Sequence, residues 1–484
     1  MTALDQALER ALRLHESGRL AEAETLYRQI LRAAPGHAET LHLLGALAHQ
    51  RGRDAEAAEL VARAVARKDD VPVFHNTLGI AYRALNRLDE AEAAYRRALT
   101  FDPNFAEAHG NLGNLLHRKG DLDAAVECQR RARDLEPGRA EFHSNLGTSL
   151  YDRGEFAAAE DCDRRAIALK PDYADAHFHL GLIRLHRGDF AEGWREYEWR
   201  WQASTFEQAR RDFKQPQWRG EDLKGARILL YPEQGFGDTL QFVRYAKLVA
   251  ARGGRVWLES PPELLRLLSR IAGAEGVFAA GTAPADFAWQ CPLLSLPYAF
   301  GTELATVPAE IPYLAAEAEA AARWRQRLAS RPGLRVGLTW AGRRTHRRDR
   351  ARSLPPEALA PLAGIPGAAF YALQQEAASP PAWAEDLAPG IGDFADTAAA
   401  ISALDLVVTA DTAVAHLAGA LGKPVFILLP WVGDWRWLEA RADSPWYPTA
   451  RLFRQRTLGD WGGAITEVVQ AIGQFKASFP RQNP

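Results

Sequence analysis

Glycine recurs at a fixed interval of 34 residues in the first two-fifths of the chain, and this period constrains the fold more than any other sequence feature. The recurring residues are Gly45, Gly79, Gly113, Gly147 and Gly181. A period of this length is typical of a helix–turn–helix solenoid, in which every repeat is one helical hairpin. Solenoids commonly bind another protein, so we expect the rest of the chain to act on that partner.

Three other kinds of residue recur with the same period of 34 residues. A small residue recurs at Ala23, Ala57, Ala91, Ala125 and Ala159. Turn residues recur at Gly18, Gly52, Asn86, Gly120, Gly154 and Gly188, and prolines at Pro35, Pro103, Pro137 and Pro171. Glycine and alanine allow close packing of two helices, and proline ends the second helix of a repeat. The pattern is typical of tetratricopeptide repeats and predicts about six of them over residues 1–203.

The sixth repeat departs from the pattern. Gly193 replaces the small alanine, and four aromatic residues follow at Trp194, Tyr197, Trp199 and Trp201. Two interpretations of the aromatic run stay open at this point. It is either a capping helix that buries the open end of the solenoid, as is usual for terminal repeats, or a platform on which a carbohydrate stacks.

Asparagine occupies one repeat position twice, at Asn111 and Asn145. On the inner face of a solenoid an amide both donates and accepts, so it binds a peptide backbone whatever the peptide sequence. These repeats resemble those of the O-linked N-acetylglucosamine transferases, in which a ladder of asparagines holds the acceptor protein. The resemblance implies that both residues bind an acceptor, although Thr77 and His179 occupy the same position in neighbouring repeats. The alternative is a pair of solvated inner-face side chains.

The composition argues against several classes of partner and compartment. The 484 residues carry a formal net charge of −2, which gives no signal for nucleic acid or a membrane surface. No run of about 18 apolar residues exists, so no membrane span is expected. The first residues include early acidic side chains and no apolar stretch of the secretory type. The three cysteines, Cys128, Cys162 and Cys291, are isolated, which favours a reducing cytoplasm over a zinc site.

Short β-rich runs alternate with helix-length segments from about residue 222 onward. The runs cover 226–231, 255–260, 276–281, 334–342, 368–374, 405–410 and 424–430. Continuous apolar strands of this kind predict parallel sheets covered on both faces. Ligands bind such sheets at the carboxyl ends of strands, here in the loops after Tyr231, Trp340 and Ala410. The predicted segments are a linker over 204–221 and two doubly wound units over 222–332 and 333–484.

The loop after the first predicted strand, PEQGFGDTLQF, contains the first candidate catalytic groups. Gly235 and Gly237 are expected to form a tight, exposed turn, and Asp238 follows with Gln241 three residues on. In a structural interpretation, Asp238 is a helix N-cap with Gln241 as its capping-box partner. In a functional interpretation, the Asp238 carboxylate accepts a proton from an acceptor hydroxyl.

The stretch ARILLYPEQGFGDTLQF resembles the first strand and loop of the bacterial heptosyltransferase group of glycosyltransferases, which have the two-lobed GT-B fold. In that group, an aspartate after a glycine in this turn is the proposed catalytic base. The resemblance implies that role for Asp238, with Glu233 of the same loop as the reserve candidate. It also implies the fold class: an all-α solenoid followed by two Rossmann-like α/β domains, the first on the acceptor side and the second on the nucleotide-sugar side.

The loop after Trp340 reads AGRRTHRRDRARSLP and concentrates positive charge. Guanidinium groups bind a diphosphate leaving group bidentately and stabilise the charge that develops on it. The loop resembles a W-x-G…H-K-N-D-R-x-R-S stretch in bacterial proteins that join tetratricopeptide repeats to this transferase type. The alternative is a solvated basic loop with weak affinity for RNA. The resemblance implies donor binding by His346, Arg347, Arg348 and Arg352, with Arg347 in place of the usual lysine.

The segment DLVVTADTAVAHLAGALGKPVFILLP places a helix start between two apolar strands. Backbone N–H groups and the dipole at such a start form a site for a nucleotide diphosphate. Thr412 and His416 share a face of that helix because they are four residues apart. The alternatives are that Asp411 is only an N-cap and His416 only a packed core histidine.

Together with DFADTAA at 393–399, this segment resembles the donor-binding half of the same transferase group. The resemblance implies that Thr412 and His416 contact the nucleotide sugar, and Gln374 is placed on the donor side as well. We assign Asp411 to orientation of the ligand, because a carboxylate repels phosphate. The aromatic and arginine side chains of 433–448 either stack on the base or sugar or pack in the core.

Together with these features, the resemblance implies a cytoplasmic, metal-independent, inverting glycosyltransferase that moves a sugar from a nucleotide sugar to serine or threonine hydroxyls of a protein held by the solenoid. The Asp-x-Asp pairs, Asp121/Asp123 and Asp161/Asp163, lie in the solenoid, where they are interpreted as helix-start and surface acids. Neither a Walker A motif nor a complete G-x-G-x-x-G motif is present, which disfavours ATPase and dehydrogenase functions.

The sequence does not identify the acceptor. Flagellin is a candidate by analogy, because flagellin-modifying bacterial transferases share this two-part build. One alternative is a binding protein whose transferase-like domain is catalytically inactive. Another is an enzyme that acts on a saccharide or lipopolysaccharide, although a small saccharide needs no long solenoid.

Overall fold

A computed structural model describes residues 2–204, 206, 210–343, 349–375 and 379–478. The chain divides into two compact units, Met1–Ala176 and His177–Pro484. The described residues of the first unit are helical with short turns, and the second unit combines helices with two parallel sheets. The predicted fold class, an all-α solenoid followed by an α/β region, is confirmed.

The first unit consists of helical hairpins, one for each repeat. Its helices are α1 (Ala3–Glu16), α2 (Leu20–Ala33), α3 (Ala38–Gln50), α4 (Asp54–Val65), α5 (Pro72–Ala84), α6 (Leu88–Phe101), α7 (Ala106–Lys119), α8 (Leu122–Leu135), α9 (Ala140–Arg153) and α10 (Phe156–Leu169), and α11 (Ala174–Arg187) begins at its end. The two helices of a hairpin are joined by a residue with φ between 60° and 90°, as the turn positions predicted. These residues are Gly18, Gly52, Asn86, Gly120, Gly154 and Gly188.

The periodic glycines lie where the two helices of a hairpin touch. A Cβ atom on Gly79 would lie 2.6 Å from the Tyr95 ring, and one on Gly113 would lie 2.5 Å from the Gln129 side chain. Because these contacts leave no room for a side chain, the glycine period is a requirement of helix packing. Pro103 lies two residues beyond the end of α6, where it prevents continuation of the helix.

One predicted surface acid is buried. Asp121 caps α8 as expected for a helix start, since its side chain accepts a hydrogen bond from Ala124 N at 3.2 Å. Asp163, in contrast, is fully buried within α10, and a Cβ on Gly147 would lie 3.0 Å from Asp163 Oδ1. The surface prediction for Asp163 was wrong because this residue occupies the repeat position that faces the periodic glycines.

The second unit contains the second helix of the last repeat, α12 (Phe190–Tyr197), and the 3-10 turn that follows it at Glu198–Gln202. Trp194 and Tyr197 are buried in one core with residues of both sheets, and Trp194 Nε1 donates to Thr302 O at 3.1 Å. Neither ring is accessible, so the carbohydrate platform is contradicted at these two positions. These two rings instead pack into the core of the α/β region, whereas Trp199 stacks on His177 of α11 with 4.2 Å between the ring centres.

Four parallel strands form the first sheet, in the order β3-β2-β1-β4. They are β1 (Arg227–Tyr231), β2 (Arg255–Ser260), β3 (Ala274–Ala279) and β4 (Trp289–Pro292). The helices of this part, which we call the first lobe, are α13 (Phe236–Phe242), α14 (Tyr245–Ala251), α15 (Pro262–Leu268) and α16 (Leu296–Phe300). The next helix, α17 (Ala318–Leu328), packs on α19 (Phe394–Ser402), which belongs with the second sheet. The sequence predicted three of the four strands and missed β4, whose four residues end in a proline.

Six parallel strands form the second sheet, in the order β10-β9-β8-β5-β6-β7. They are β5 (Leu334–Thr339), β6 (Ala368–Ala372), β7 (Glu385–Asp386), β8 (Leu406–Ala410), β9 (Val425–Leu429) and β10 (Ala450–Arg454). The helices of this second lobe are α18 (Asp349–Arg352), α19 (Phe394–Ser402), α20 (Ala413–Ala420) and α21 (Trp461–Ser478). Further 3-10 turns cover Leu293–Ser295, Leu304–Thr306, Pro356–Gly364, Ala388–Gly390 and Trp435–Trp437. The sequence missed β7 and β10, which are the two edge strands.

The carboxyl ends of β5 and β8 lie side by side because these strands are neighbours in the second sheet. The hydroxyl groups of Thr339 and Thr409 hydrogen-bond to each other at this edge. The loops that leave the sheet after Trp340 and after Ala410 therefore start next to each other.

Two features are absent from the part of the chain that the structure describes. None of its helices combines the length and apolarity needed to cross a membrane. None of its groups of three or more His, Cys, Asp or Glu side chains is arranged to hold a metal ion.

Candidate active site

The loop between β1 and α13 places Asp238 inside the first turn of a helix. Gly235 is the N-cap of α13, and Asp238 is the third helical residue, whose Oδ2 accepts a hydrogen bond from Gly235 N at 2.9 Å. The interpretation of Asp238 as an N-cap with Gln241 as its partner was therefore wrong. The helix starts earlier because a glycine suits the cap position and a carboxylate at the third position satisfies the cap's N–H group.

The other carboxylate oxygen of Asp238 is bound by an arginine of the second lobe. Arg436 Nη2 donates to Asp238 Oδ1, while Arg436 Nε donates to Gln241 Oε1 and Nη1 to Asp434 Oδ1, both at 2.8 Å. The Arg436 side chain is 7% exposed and that of Asp238 is 17% exposed. Burial raises the pKa of Asp238, and the Arg436 guanidinium acts in the opposite direction. Asp238 is thus fixed in orientation and still partly open.

Glu233, the reserve candidate, is more enclosed. Its Oε1 accepts a hydrogen bond from Arg200 Nη2 at 2.9 Å, and the side chains of Glu233 and Arg200 are 3% and 0% exposed. Glu233 Oε2 is buried without a hydrogen-bond partner among the described residues. Burial raises the pKa of Glu233 to about 7, against the lowering effect of the Arg200 guanidinium. Of the two carboxylates, Asp238 is therefore the more exposed.

Gly237 is needed for helix packing. It lies within α13, and a Cβ there would come within 2.8 Å of His416 Cδ2 on α20. Gly235 has φ of −70°, which other residues also adopt. The exposed glycine turn predicted from the sequence is therefore wrong for Gly237, because the missing side chain lets α13 of the first lobe touch α20 of the second.

The start of α20 is capped by Thr412, whose hydroxyl accepts a hydrogen bond from Val414 N at 3.3 Å. The interpretation of Asp411 as the N-cap was therefore wrong, since Asp411 lies one residue before the cap. Asp411 is 9% exposed, and burial followed by the neighbouring Asp434 carboxylate raises its pKa to about 6. The carbonyl oxygen of Asp411 accepts a hydrogen bond from Arg352 Nη1 at 3.2 Å, which joins the two loops at the sheet edge.

His416 is a buried histidine that lines the contact between the lobes. Its Nδ1 hydrogen-bonds Tyr447 OH at 3.0 Å, and its ring stacks on Trp437 at 5.3 Å between ring centres. Burial, followed by the positive charge of Arg436, lowers the pKa of His416 to about 3, so its imidazole is neutral at neutral pH. His416 is both packed and adjacent to Gly237, so packing does not remove it from the site.

The aromatic side chains of 433–448 pack in the core. Trp435, Trp437, Trp446 and Tyr447 are all at most 3% exposed. The alternative in which these rings stack on a base or sugar does not fit this burial. Arg436, which lies between two of the tryptophans, binds Asp238 instead.

Part of the arginine loop is described. Ser353 Oγ donates to Asp349 Oδ1 at 2.8 Å and accepts from Gly342 N at 3.0 Å, which closes the loop on itself. The guanidinium of Arg343 lies 4.8 Å above the ring of Phe236 in the first lobe. Three predicted donor-binding residues, His346, Arg347 and Arg348, lie outside the described residues.

Gln374 fixes the loop that follows β5. Its Oε1 accepts hydrogen bonds from Trp340 N at 3.1 Å and Ala341 N at 3.0 Å, and its Nε2 donates to Ala341 O at 3.1 Å. These bonds hold the backbone from which the arginine loop departs. A direct contact of Gln374 with a donor stays a prediction.

The acids of DFADTAA join the two lobes. Asp393 is the N-cap of α19 and accepts a hydrogen bond from Asp396 N at 2.9 Å. Arg266 of α15 binds Asp393 at 2.7 Å and also binds Asp396. This part of the motif thus holds the first lobe against the second.

In the first unit, the two predicted acceptor-binding asparagines are half-buried. Asn111 Nδ2 donates to Asn76 Oδ1 at 3.0 Å across adjacent repeats, whereas no hydrogen bond is seen for the Asn145 side chain in the described residues. The sequence analysis missed Asn76, although its place 35 residues before Asn111 was visible. Peptide binding by this pair stays a prediction.

Sequence reasoning also missed the roles of Arg200 and Arg436. Each is the centre of a Trp-Arg-Trp triplet, at 199–201 and 435–437, and each triplet lies on a 3-10 turn. Each arginine binds one of the two candidate carboxylates. The repeated triplet was a signal that could have linked these arginines to the loop after β1.

Comparison with known families agrees with the two-part architecture. Tetratricopeptide repeat families match residues 14–79, 79–120, 106–138 and 144–198. Glycosyltransferase family 9, described as heptosyltransferase, matches residues 372–428. The chain therefore contains tetratricopeptide repeats and a glycosyltransferase family 9 region, as its sequence predicted. The family 9 segment includes Gln374, Asp411, Thr412 and His416.

Individual proteins resemble the chain in part. Protein FlbA of Caulobacter vibrioides (strain ATCC 19089 / CIP 103742 / CB 15) is 29% identical over 323 residues, which cover 59% of this chain and 53% of FlbA. The chain thus spans about half the length of this curated relative. Among solved structures, TTC0263, a thermophilic TPR protein of Thermus thermophilus, is 24% identical with a TM-score of 0.34 over 38% of this chain and 100% of that one. Pseudomonas aeruginosa pilF is 17% identical with a TM-score of 0.37 over 41% of this chain and 90% of that one.

Proposed function

We propose that this chain is a metal-independent, inverting glycosyltransferase that moves a sugar from a nucleotide sugar to a serine or threonine hydroxyl of a protein acceptor. The family 9 region supports glycosyl transfer as the general activity, and the repeats support a protein as the partner. The observation that carries the proposal is the placement of Asp238. Its carboxylate is held by Arg436, is partly open, and belongs to a helix that touches α20 of the family 9 segment.

In the proposed reaction, the acceptor oxygen forms a bond to the anomeric carbon while the bond from that carbon to the diphosphate oxygen breaks. The hydroxyl proton passes to Asp238, and the nucleoside diphosphate leaves with the electron pair. Attack opposite the leaving group inverts the anomeric configuration. Burial raises the pKa of Asp238, which makes it a stronger base, and Arg436 favours its ionised form. Because a carboxylate is a weak base for an alcohol, we expect proton transfer late in the step.

The donor side of the proposed site is the edge of the second sheet. Thr412 caps α20, where the N–H groups of the first helical turn and the helix dipole favour a diphosphate. Arg352 lies beside this start through its bond to the Asp411 carbonyl and adds positive charge. Neutral His416 is suited to a hydrogen bond with the sugar or ribose. We assign Asp411 to a ligand hydroxyl, since its carboxylate repels phosphate.

The acceptor side of the proposal rests on the solenoid. An amide on the inner face binds an extended peptide through both its donor and its acceptor groups, so Asn111 and Asn145 suit acceptors of varied sequence. Flagellin is the acceptor to test first, by analogy with transferases of similar build.

The donor site is tested by thermal shift of the full chain with a panel of nucleotides and nucleotide sugars. A nucleotide at 100 times its dissociation constant stabilises the folded protein by about 2.7 kcal/mol. We expect a shift with one nucleotide that disappears in Arg352→Ala and persists in Asp238→Asn. The absence of any shift across the panel would contradict a working donor site.

The reaction is tested by incubating the full chain with the nucleotide sugar found in that screen and with purified flagellin, with and without EDTA. We expect a mass increase on serine or threonine that survives EDTA, and an inverted anomeric configuration in the NMR spectrum of the product. Transfer to a saccharide acceptor, but never to protein, would overturn the protein-acceptor part of the proposal. Loss of transfer in EDTA would overturn metal independence.

A further inference from the structure

A buried network of charged side chains connects the end of the last repeat with the α/β region. Arg200, on the 3-10 turn after α12, is fully buried, and its Nη1 donates to Glu198 Oε1 at 2.6 Å. Its Nη2 donates to Glu233 Oε1 at 2.9 Å and to Ser295 Oγ at 2.8 Å. Ser295 Oγ in turn donates to Glu198 Oε1 at 2.6 Å. One arginine therefore connects the turn after the last repeat with the loop after β1 and with the segment after β4.

A second bond from the same segment reaches the same loop. Gln234 Nε2 donates to Tyr197 OH at 2.8 Å, one residue beyond Glu233. Gln234 directly precedes Gly235, the N-cap of the helix that carries Asp238. Tyr197 and Arg200 thus hold two consecutive residues of the loop that leads to the proposed base.

We infer that Arg200 and Tyr197 are positioning residues of the active site, which hold the Glu233–Gln234 segment so that α13 presents Asp238 to the acceptor hydroxyl. The inference rests on the proposed function, in which Asp238 is the base. It extends the site to the last repeat, so that the segment which ends the solenoid is also a structural part of the catalytic lobe.

Energetic considerations support a role beyond packing. Taking an arginine and a glutamate out of water costs several kcal/mol for each ion, and apolar residues of similar size often fill such a place with no loss of stability. A segment that served only to cover the end of a solenoid would have no need of a fully buried guanidinium. Arg436 repeats this arrangement at Asp238, again from the centre of a Trp-Arg-Trp triplet.

The charges around Glu233 determine what removal of Arg200 does. The groups that act on Glu233 are the Arg200 guanidinium and the carboxylates of Glu198 and Asp238. The Glu233 charge also acts on the hydroxyls of Tyr197 and Tyr231. Without Arg200, Glu233 stays buried beside two carboxylates and has lost its cation, so its pKa rises further. The resulting neutral, unbound side chain no longer fixes the loop.

The test compares Arg200→Met, Arg200→Lys and Tyr197→Phe with wild type in the full chain, and records kcat, the donor KM and the pH profile of transfer. We expect Arg200→Met to lower kcat by roughly a hundredfold, which is typical of a misplacement of about 1 Å, with the donor KM unchanged. The pH profile of kcat should also change, because loss of the Arg200 guanidinium alters the charge of Glu233, which interacts with the Asp238 carboxylate. Arg200→Lys should restore part of kcat, because it returns a charge without the planar fork.

Two control variants separate the inference from its premise. Arg195→Met removes an arginine of α12, five residues before Arg200, whose side chain is 54% exposed, and we expect wild-type kcat. Asp238→Asn tests the proposed function, and undiminished activity there would overturn the function itself. If Asp238→Asn is inactive while Arg200→Met and Tyr197→Phe keep wild-type kcat and pH profile, the inference alone is overturned. Tyr197→Phe removes only a hydroxyl, so it decides the matter if Arg200→Met fails to fold.

Discussion

Arg436 of the second lobe donates a hydrogen bond to the Asp238 carboxylate of the first, across 198 residues of sequence. The bond makes the position of the proposed base depend on the fit between the two lobes. It also places a positive charge against a carboxylate whose burial would otherwise favour the protonated form. Arg436 thus acts on both the orientation and the ionisation of Asp238, together with the hydrogen bond from Gly235 N.

Replacement of Asp238 by asparagine is expected to abolish most of the activity. The amide keeps the size of the side chain and accepts no proton, so kcat should fall by about 10²- to 10⁴-fold. Donor affinity, measured by calorimetry, should stay unchanged. The matched control is Asp443→Asn, since the Asp443 side chain is 66% exposed and pairs only with Arg441 among the described residues. An unaltered kcat in Asp238→Asn would refute the assignment of the base.

Replacement of Arg436 by methionine is expected to destabilise the second unit. The change leaves the Asp238 and Asp434 carboxylates without the arginine that binds both, which typically costs about 3–5 kcal/mol. All 14 tryptophans lie in the second unit, so tryptophan fluorescence during urea unfolding reports that unit alone. Arg441→Met, at a side chain 38% exposed, should change stability by less than about 0.5 kcal/mol. Equal effects of the two changes would contradict the buried network.

A methyl group on Gly237 is expected to disturb the contact between α13 and α20. Its Cβ would lie 2.8 Å from His416 Cδ2, and such overpacking costs about 1–3 kcal/mol. Gly235→Ala is the control, because the nearest atom to its Cβ would be Asp238 Oδ2 at 3.4 Å. Urea unfolding and nucleotide affinity should both be weakened more by Gly237→Ala. If Gly237→Ala were as stable as Gly235→Ala, α13 and α20 would separate easily enough to accommodate a methyl group.

Acidification is expected to destabilise the second unit through His416. Its pKa is lowered from 6.5 to about 3 in the folded protein, so below pH 6.5 the unfolded chain binds a proton that the folded chain does not. The contribution of neutral His416 to the free energy of unfolding is complete above pH 6.5 and is lost progressively down to about pH 3. The loss between pH 7 and pH 5 is about 2 kcal/mol. Glu233, whose pKa is raised to about 7, acts in the opposite sense over pH 7 to 4.5.

The variant His416→Gln separates the pH-dependent contribution of His416 from the opposite contribution of Glu233. His416→Gln should lose less stability than wild type when the pH falls from 7 to 5, with the difference measured by urea unfolding at both values. An identical pH dependence in the two proteins would mean that His416 takes up a proton in the folded state.

Loss of the Asn111 and Asn145 amides is expected to weaken binding of a protein acceptor and to leave binding of the nucleotide sugar unchanged. The double change Asn111→Ala with Asn145→Ala removes amide hydrogen bonds worth about 0.5–1.5 kcal/mol each, so the KM for a protein acceptor should rise by about tenfold. The donor KM should not change. Asn104→Ala, at an exposed turn of the same solenoid, is the control. An unchanged acceptor KM in the double variant would place the acceptor elsewhere.

Features that depend on local backbone and apolar pattern were predictable from the sequence. The glycine period was visible because helix contact leaves no room for a Cβ at Gly79 or Gly113, whatever the surrounding side chains. Seven strands were visible as apolar runs, whereas the short strands β4 and β7, with four and two residues, and the edge strand β10 carried too weak a pattern.

Features that depend on distant partners were not predictable in the same way. The bond of Arg436 to Asp238 and that of Arg200 to Glu233 join residues 198 and 33 positions apart, and neither pairing leaves a local trace. The first turn of α13 was misread for a related reason. A glycine cap with an aspartate at its third position and an aspartate cap have similar sequences, and only the backbone distinguishes them.

The repeat position opposite the periodic glycines ends in Tyr197, after Val61, Tyr95, Gln129 and Asp163. In this final copy, the backbone of Tyr197 lies against Gly181, where a Cβ would come within 2.7 Å of Tyr197 N, and the Tyr197 hydroxyl accepts a hydrogen bond from Gln234. A change in the length of the last hairpin would therefore shift Tyr197 relative to the loop after β1. Whole repeats added or lost at the amino-terminal end would leave it in place. Among chains of this build, we accordingly expect growth and shortening of the array at its amino-terminal end, and a fixed length in the hairpin next to the transferase region.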